Sequence, residues 1–294
     1  MNDYKWKKKG MIYEVSNDNE HLLSHASNPL AINLENDVYR IFYSGRDSKN
    51  RSSVSYVDID IVKQQVTLDF KKPVLKYGSP TSFYSHGITL GNSWKQKGET
   101  YIGFMGWQHR GDDHWRGDIG KFNVSTFETS MVLGVNEIDK VSLSYPCVIK
   151  DDARYKMWYG STIDWSSENG EMIHTLNYAE SDDGNRWDTK GVAIPWALYK
   201  AQAFSKPSVI KTDKGYRMWY SYRKGDGSLY RMGYSFSKDG INWSREESNL
   251  KKSQTGWDSE MVCYPYVFKH KEDVYMLYNG NRFGKCGFGL AIAI

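Results

Sequence analysis

Short apolar runs alternate with polar residues at a period of two through most of the chain, and clusters of Gly, Asp and Asn interrupt them. That period puts successive side chains on opposite faces of an extended backbone, so the pattern predicts β-strands joined by tight turns. Four stretches repeat one layout. Asn28-Pro29-Leu30-Ala31-Ile32 leads to Tyr39-Arg40-Ile41-Phe42-Tyr43-Ser44, and Tyr145-Pro146-Cys147-Val148-Ile149 leads to Tyr155-Lys156-Met157-Trp158-Tyr159-Gly160. Lys206-Pro207-Ser208-Val209-Ile210 leads to Tyr216-Arg217-Met218-Trp219-Tyr220-Ser221, and Tyr264-Pro265-Tyr266-Val267-Phe268 leads to Tyr275-Met276-Leu277-Tyr278-Asn279. The prolines recur about every 60 residues, with a double interval between Pro29 and Pro146. Midway through that interval Gly87-Ile88-Thr89-Leu90 leads to Tyr101-Ile102-Gly103-Phe104-Met105-Gly106, a fifth copy without the proline.

Within each copy the proline opens a strand, where its missing N–H does no harm. A short apolar strand, a turn such as Thr212-Asp213-Lys214-Gly215, the alternating Tyr-x-Met-Trp-Tyr strand and a third strand follow. Ser181-Asp182-Asp183-Gly184-Asn185-Arg186-Trp187 then matches Ser237-Lys238-Asp239-Gly240-Ile241-Asn242-Trp243. In this pattern Asp accepts hydrogen bonds from the following backbone N–H groups, Gly supplies positive φ and Trp closes the hairpin on its apolar side. Multistranded units repeated around an axis make a propeller. The expectation is all-β: a five-bladed β-propeller with about four antiparallel strands per blade, one domain over residues 1–294. The blades start near residues 29, 87, 146, 207 and 265, and residues 1–24 pack on the propeller or close it. A sandwich would not hold this spacing across the chain, and a β-helix needs much shorter repeats. The best short helix lies around Pro195 to Ala203.

Composition adds ligand chemistry to this scaffold. Aromatic residues are 15% of the chain, with 22 Tyr and 11 Trp; they suit strands and also offer flat faces to sugars or bases. The 39 basic and 35 acidic residues leave a net charge of +4, too balanced for a dedicated nucleic-acid binder. Lys5, Lys7, Lys8 and Lys9 read as a solvated tail. Met1 to Glu20 holds no apolar run of signal-peptide length, and no stretch approaches a membrane-spanning helix. Cys147, Cys263 and Cys286 are odd in number and far apart, which reads as free thiols in a reducing compartment. A cytoplasmic protein without a membrane span is expected. There is no P-loop, no GxGxxG opening a helix and no HExxH or Cys/His zinc pattern. His109-Arg110-Gly111-Asp112-Asp113-His114 matches no standard metal spacing and reads as a polar hairpin loop, so neither metal nor cofactor is expected.

The repeated Pro-Val-Ile, Tyr-x-Met-Trp-Tyr and Ser-x-Asp-Gly-x-x-Trp segments resemble the five-bladed propeller superfamily of glycoside hydrolase families 43, 32, 68 and 130. Ser24-His25-Ala26, Tyr43-Ser44-Gly45-Arg46-Asp47, Met218-Trp219-Tyr220-Ser221-Tyr222-Arg223, Gly256-Trp257-Asp258-Ser259-Glu260-Met261 and Tyr278-Asn279-Gly280-Asn281 are similar to an uncharacterised cytoplasmic branch that accompanies bacterial surface-polysaccharide biosynthesis. The resemblance covers nearly the whole chain and implies a carbohydrate or sugar-phosphate ligand. It leaves the activity open, because the fold hosts hydrolases, transferases and phosphorylases. The hydrolases usually carry a catalytic Asp directly before the first-blade proline; here Asn28 stands there, and an amide does not titrate. The later copies have Tyr145, Lys206 and Tyr264, and Phe83-Tyr84-Ser85-His86-Gly87 lacks the acid expected in blade two. The usual pair of carboxylates is therefore incomplete.

The first strand of each blade lines a propeller's channel, so the residues flanking the prolines are the site candidates. They are His25 and Asn28, His86, Tyr145, Gln202 and Lys206, and Asp258, Glu260 and Tyr264. Glu260 is the favoured general acid, with Asp258 as alternative or partner. Asp47, beside Arg46, and His86, the one titratable residue at the blade-two mouth, complete the catalytic candidates. Arg223 and Lys206 suit an anionic group. Trp107 and Trp165, placed in loops after the repeated strand, are stacking platforms, whereas Trp158 and Trp219 belong to the core. Arg46, Asn279, His25, Asn28, Tyr145 and Tyr264 fill out the binding set. Two functions fit: an enzyme of hydrolase, transglycosidase or phosphorylase type acting on a glycosyl precursor, or a non-catalytic glycan-binding or scaffolding propeller. A protein-interaction propeller, marked by a large apolar patch, is a third.

Overall fold

Alternating sequence becomes twenty strands in a computed structural model that describes residues 4–109, 111 and 114–294. Residues 1–3, 110, 112 and 113, which include part of the polar His109–His114 segment, lie outside the described residues. The chain opens on β1 (Trp6–Glu14). The first antiparallel unit is β2 (Ser24–Glu35), β3 (Val38–Arg46), β4 (Ser52–Asp60) and β5 (Gln65–Asp69), and the second is β6 (Gly87–Gln96), β7 (Glu99–Gln108), β8 (Arg116–Asn123) and β9 (Thr129–Leu133). The third is β10 (Ser142–Asp151), β11 (Arg154–Asp164), β12 (Ile173–Ser181) and β13 (Asp188–Ile194), and the fourth is β14 (Ala203–Thr212), β15 (Gly215–Arg223), β16 (Arg231–Ser237) and β17 (Ser244–Glu247). The last holds β18 (Cys263–His270), β19 (Asp273–Asn279) and β20 (Gly287–Ala293), and β1 joins it by pairing antiparallel with β20 from Trp6↔Ala293 to Glu14↔Gly287. Single parallel bridges, Ser52↔Gly87 and His174↔Ala203, link neighbouring units.

The first strands form a closed ring: β2 packs on β6, β6 on β10, β10 on β14, β14 on β18 and β18 on β2. This is the all-β propeller, with five four-stranded units around one axis. Trp158 and Trp219 are fully buried between units. The Ser-x-Asp-Gly-x-x-Trp turns work as their chemistry requires. Asp183 Oδ1 accepts from Asn185 and Arg186 N–H, Asp239 Oδ1 from Ile241 and Asn242 N–H, and Gly184 and Gly240 sit at φ 71° and 79°.

Two local expectations are corrected. No helix forms at Pro195 to Ala203: Ala197 and Ala201 form a bridge around a tight turn in which Tyr199 takes φ 58°, a left-handed value that interrupts a right-handed helix. The short helical turn is instead α1 (Asn281–Gly284), with Arg282 and Phe283 at φ 52° and 60°. Nor is Lys8 part of a solvated tail. It lies in β1, and its Nζ donates to Asp258 Oδ2 at 2.6 Å and Ser253 Oγ at 2.9 Å. No helix among the described residues is long and apolar enough to cross a membrane.

Candidate functional site

At one height in every first strand two residues face a single residue of the second strand. The pairs are Asn28–Pro29, Gly91–Asn92, Tyr145–Pro146, Lys206–Pro207 and Tyr264–Pro265. Such bulges bend a strand and re-aim its side chains. Asn28, Tyr145, Lys206 and Tyr264 take φ 55°, 42°, 52° and 54°. Bulky residues seldom adopt these angles, and strain of this kind gathers at functional sites. Cross-blade bonds hold it: Asn28 N–H donates to Asn279 Oδ1 at 2.8 Å, and Tyr264 N–H to Ser221 Oγ at 2.7 Å. In blade two the equivalent is Gly91, where a Cβ would fall 2.1 Å from Pro146 O.

Above this ring lies a cavity of about 420 Å³, within the range of small-ligand sites. Trp107, Trp115 and Trp165 form part of its wall, with Tyr145, Tyr230, Tyr264 and Phe283. The rings brace one another: Trp115 meets Trp165 edge-on at 4.5 Å, and Tyr264 stacks on Phe283 at 6.2 Å. Phe283 is carried on α1, whose left-handed turn is pinned by Ser27 Oγ donating to Phe283 O and by Asn281 Oδ1 accepting Glu260 and Met261 N–H. Two arginines reach the wall. Arg46 donates to Asn50 Oδ1 at 2.6 Å, and Arg223 lies 3.7 Å from Glu171 Oε2. His174 is buried against Trp165, and its Nε2 has no hydrogen-bond partner. Burial first, then Arg223, pushes its pKa down to about 4, so it stays neutral. Among the described lining residues there is no carboxylate. Among the described residues no group of three His, Cys, Asp or Glu is placed to hold a metal ion.

Of the residues expected at the site, Arg46, Trp107, Tyr145, Trp165, Arg223 and Tyr264 line this cavity. Trp107 does so from the end of β7 rather than from a loop, its Nε1 donating to Ser52 Oγ at 3.0 Å. The four catalytic candidates do not line it. Glu260 faces two other depressions. Asp258 is buried against Lys8 and Tyr278. Asp47 closes its own turn, accepting Lys49 and Arg51 N–H and pairing with the Arg51 guanidinium at 2.8 Å. His86 sits behind the wall, its ring 5.9 Å from Trp107 and its Nδ1 accepting His109 N–H at 3.2 Å. Burial lowers its pKa, with His109 and Arg51 adding to the effect.

Four binding candidates are also placed elsewhere. Lys206 points inward, fully buried, with Nζ donating to Gly91 O across the ring at 2.7 Å. Asn28 and Asn279 are buried in the clamp described above. His25, at φ 67°, is bonded to Ser24 Oγ, and burial, then Arg46 and Lys285, lowers its pKa to about 4. Gln202, too, is buried, donating to Ser167 and Asn169. Sequence reasoning missed Trp115, His174, Tyr230 and Phe283, which lie outside the repeated positions. It also missed Ser144 and Ser205, which the recurring Ser-x-Pro triplet marks.

No family model matches the chain. It is 34% identical over 297 residues to the uncharacterised proteins MT1551 and Rv1502 of Mycobacterium tuberculosis, covering 98% of this chain and 98% of each relative. Among solved structures it resembles a glycoside hydrolase (TM-score 0.75, 16% identity, 97% of this chain and 90% of that one). It also resembles a structure from work on the GH130 family of mannoside phosphorylases, with glycoside hydrolases that target β-1,2 mannosidic linkages in Candida mannan (0.74, 13%, 98% and 93%). A third is sucrose-6-phosphate hydrolase from Lactobacillus gasseri (0.67, 14%, 96% and 59%). These likenesses show a glycoside-hydrolase type of propeller fold, and the chain belongs to the family of the Mycobacterium tuberculosis proteins MT1551 and Rv1502.

Proposed function

We propose that this propeller recognises a carbohydrate in the cavity at its channel mouth and does so without cleaving it by the two-carboxylate route. One observation carries the reading: a wall of three tryptophans and two arginines with no carboxylate among its described residues. Glycoside hydrolysis of the common kind needs an acid and a base or nucleophile on either side of the scissile bond. Flat indole faces and arginine forks bind sugar rings and anionic substituents without them. The fold likeness to glycoside hydrolases supports a sugar as the ligand class. The same reading places the chain in the cytoplasm, handling glycosyl precursors of surface polysaccharide; its unpaired Cys147, Cys263 and Cys286 support a reducing compartment.

Titration calorimetry against sugars, sugar phosphates and sugar nucleotides, with product analysis on each mixture, tests it. Saturable binding without product is expected. Trp165→Ala weakens binding at least about tenfold, as truncating an aromatic anchor does, while Glu260→Gln still binds saturably. Hydrolysis, transfer or phosphorolysis that disappears in Glu260→Gln would restore the enzymatic reading.

A further inference from the structure

Tyr230 lines the central cavity and also a neighbouring groove of about 640 Å³. A further depression shares Tyr222, Lys224 and Lys251 with that groove. Together the two carry six cations, Lys200, Lys224, Arg231, Arg245, Lys251 and Lys252, against Glu246, Glu247 and Glu260. The whole chain has a net charge of only +4, so most of that excess is matched along this one edge. Lys251 pairs with Glu247 at 2.9 Å, but among the described residues Lys224, Arg231 and Lys252 have no carboxylate at ion-pair distance. Arg223 of the cavity is flanked in sequence by Tyr222 and Lys224 of the groove and lies over the Tyr230 ring at 5.9 Å. Glu171 sits at this junction, 3.7 Å from Arg223 and accepting Gly227 N–H at 2.6 Å; beyond it Lys224, Arg231 and Lys252 carry positive charge past Tyr230 and out along the groove.

We propose that the ligand is an acidic oligosaccharide, bearing uronate or phosphate groups, whose terminal sugar occupies the aromatic cavity and whose following sugars lie along this lysine-rich groove. The proposal rests on the carbohydrate reading of the cavity. The charge spacing favours a glycan over a nucleic acid. Glu246, Glu247 and Glu260 interrupt the cations and would repel a phosphate at every step, whereas a glycan with scattered charges can match them. Tyr222 and Tyr230 offer apolar faces between the cations, as a sugar chain requires.

An array of uronate-bearing, phosphate-bearing and neutral oligosaccharides of graded length, with single-stranded RNA as comparison, supplies the probes. Acidic glycans are expected as the hits, with affinity rising with length and falling as salt is added. The surface double variant Lys224→Glu/Lys252→Glu weakens the longest acidic glycan about tenfold or more and leaves the shortest binder unchanged; Trp165→Ala weakens all lengths. Neutral glycans or RNA as the best binders, no binding by any acidic glycan, or a double variant that binds the long glycan as tightly as the native chain overturns the proposal. Loss in Trp165→Ala alone leaves the cavity reading standing and the groove extension fallen. Loss in the double variant alone means that the groove holds the glycan without the cavity, and it overturns both the cavity reading and the proposal that rests on it.

Discussion

Asp258→Ala lowers the unfolding free energy by about 3 kcal/mol and leaves ligand binding by the folded fraction unchanged. Asp258 is 3% exposed and accepts from Lys8 Nζ at 2.6 Å and Tyr278 Oη at 3.0 Å. Removing it strands an ammonium and a phenol; breaking a buried pair costs about 3–5 kcal/mol, and the partial exposure of Lys8 argues for the lower end. Lys8 belongs to β1, the strand that completes the last sheet, so the loss falls on the junction between the chain's two ends. The repeat identifies the role. Asp139 stands as far before Tyr145 as Asp258 does before Tyr264, and it accepts Tyr159 Oη and Asn177 Nδ2, both at 2.7 Å. Tyr159 and Tyr278 each face a proline bulge, so each aspartate anchors the tyrosine packed behind one. Urea unfolding of the native chain, Asp258→Asn and Asp258→Ala measures the effect, with the amide variant falling between the other two. A change below about 1 kcal/mol for Asp258→Ala, or lost function at native stability, would return Asp258 to the list of reacting groups.

The propeller was legible because its strands repeat the same pattern of Pro, Tyr and Trp, and because each copy must bury the same faces. The site was only partly legible, for reasons that individual residues show. Arg46 and Arg223 occupy one repeat position, three residues beyond the tyrosine that faces the bulge, and the register carries both to the cavity. Glu260 and Asp258 lie only a few residues before Tyr264, but the chain there forms a loop before β18 begins at Cys263, and closeness in sequence did not carry them to the same wall. In blade two the missing proline hid the register: the bulge falls at Gly91–Asn92, and His86 lies before the strand rather than in the ring. His174 is the second residue of a third strand, and Phe283 rides a left-handed turn that no propensity favours.

Lys206 offers the second large effect, through pH. Its ammonium is fully buried with Gly91 O as a partner, and burial lowers its pKa to about 8 from 10.5. Below the folded value the lysine is charged in both states, and the folded chain bears the cost of burying it. Between the two values the unfolded chain holds a proton that the folded chain has released, so folding stability rises with pH across this window. Above 10.5 the lysine is neutral in both states and the gain levels off. The full rise amounts to about 3 kcal/mol. Lys206→Met keeps the volume and removes the titration. Near neutral pH it relieves the buried charge but leaves Gly91 O without its donor, a loss of about 1–3 kcal/mol, so the variant is about as stable as the native chain. As pH rises through the window the native chain pulls ahead, because its neutral amine still donates to Gly91 O while the penalty on its charge has gone. Taking the difference between the two proteins at each pH cancels the titrating groups that do not interact with Lys206; Cys147, which does, has its thiol pushed up by burial to about 11 and contributes at the alkaline end. Stability curves that stay parallel from neutral pH past 10 would show that Lys206 does not titrate across this window.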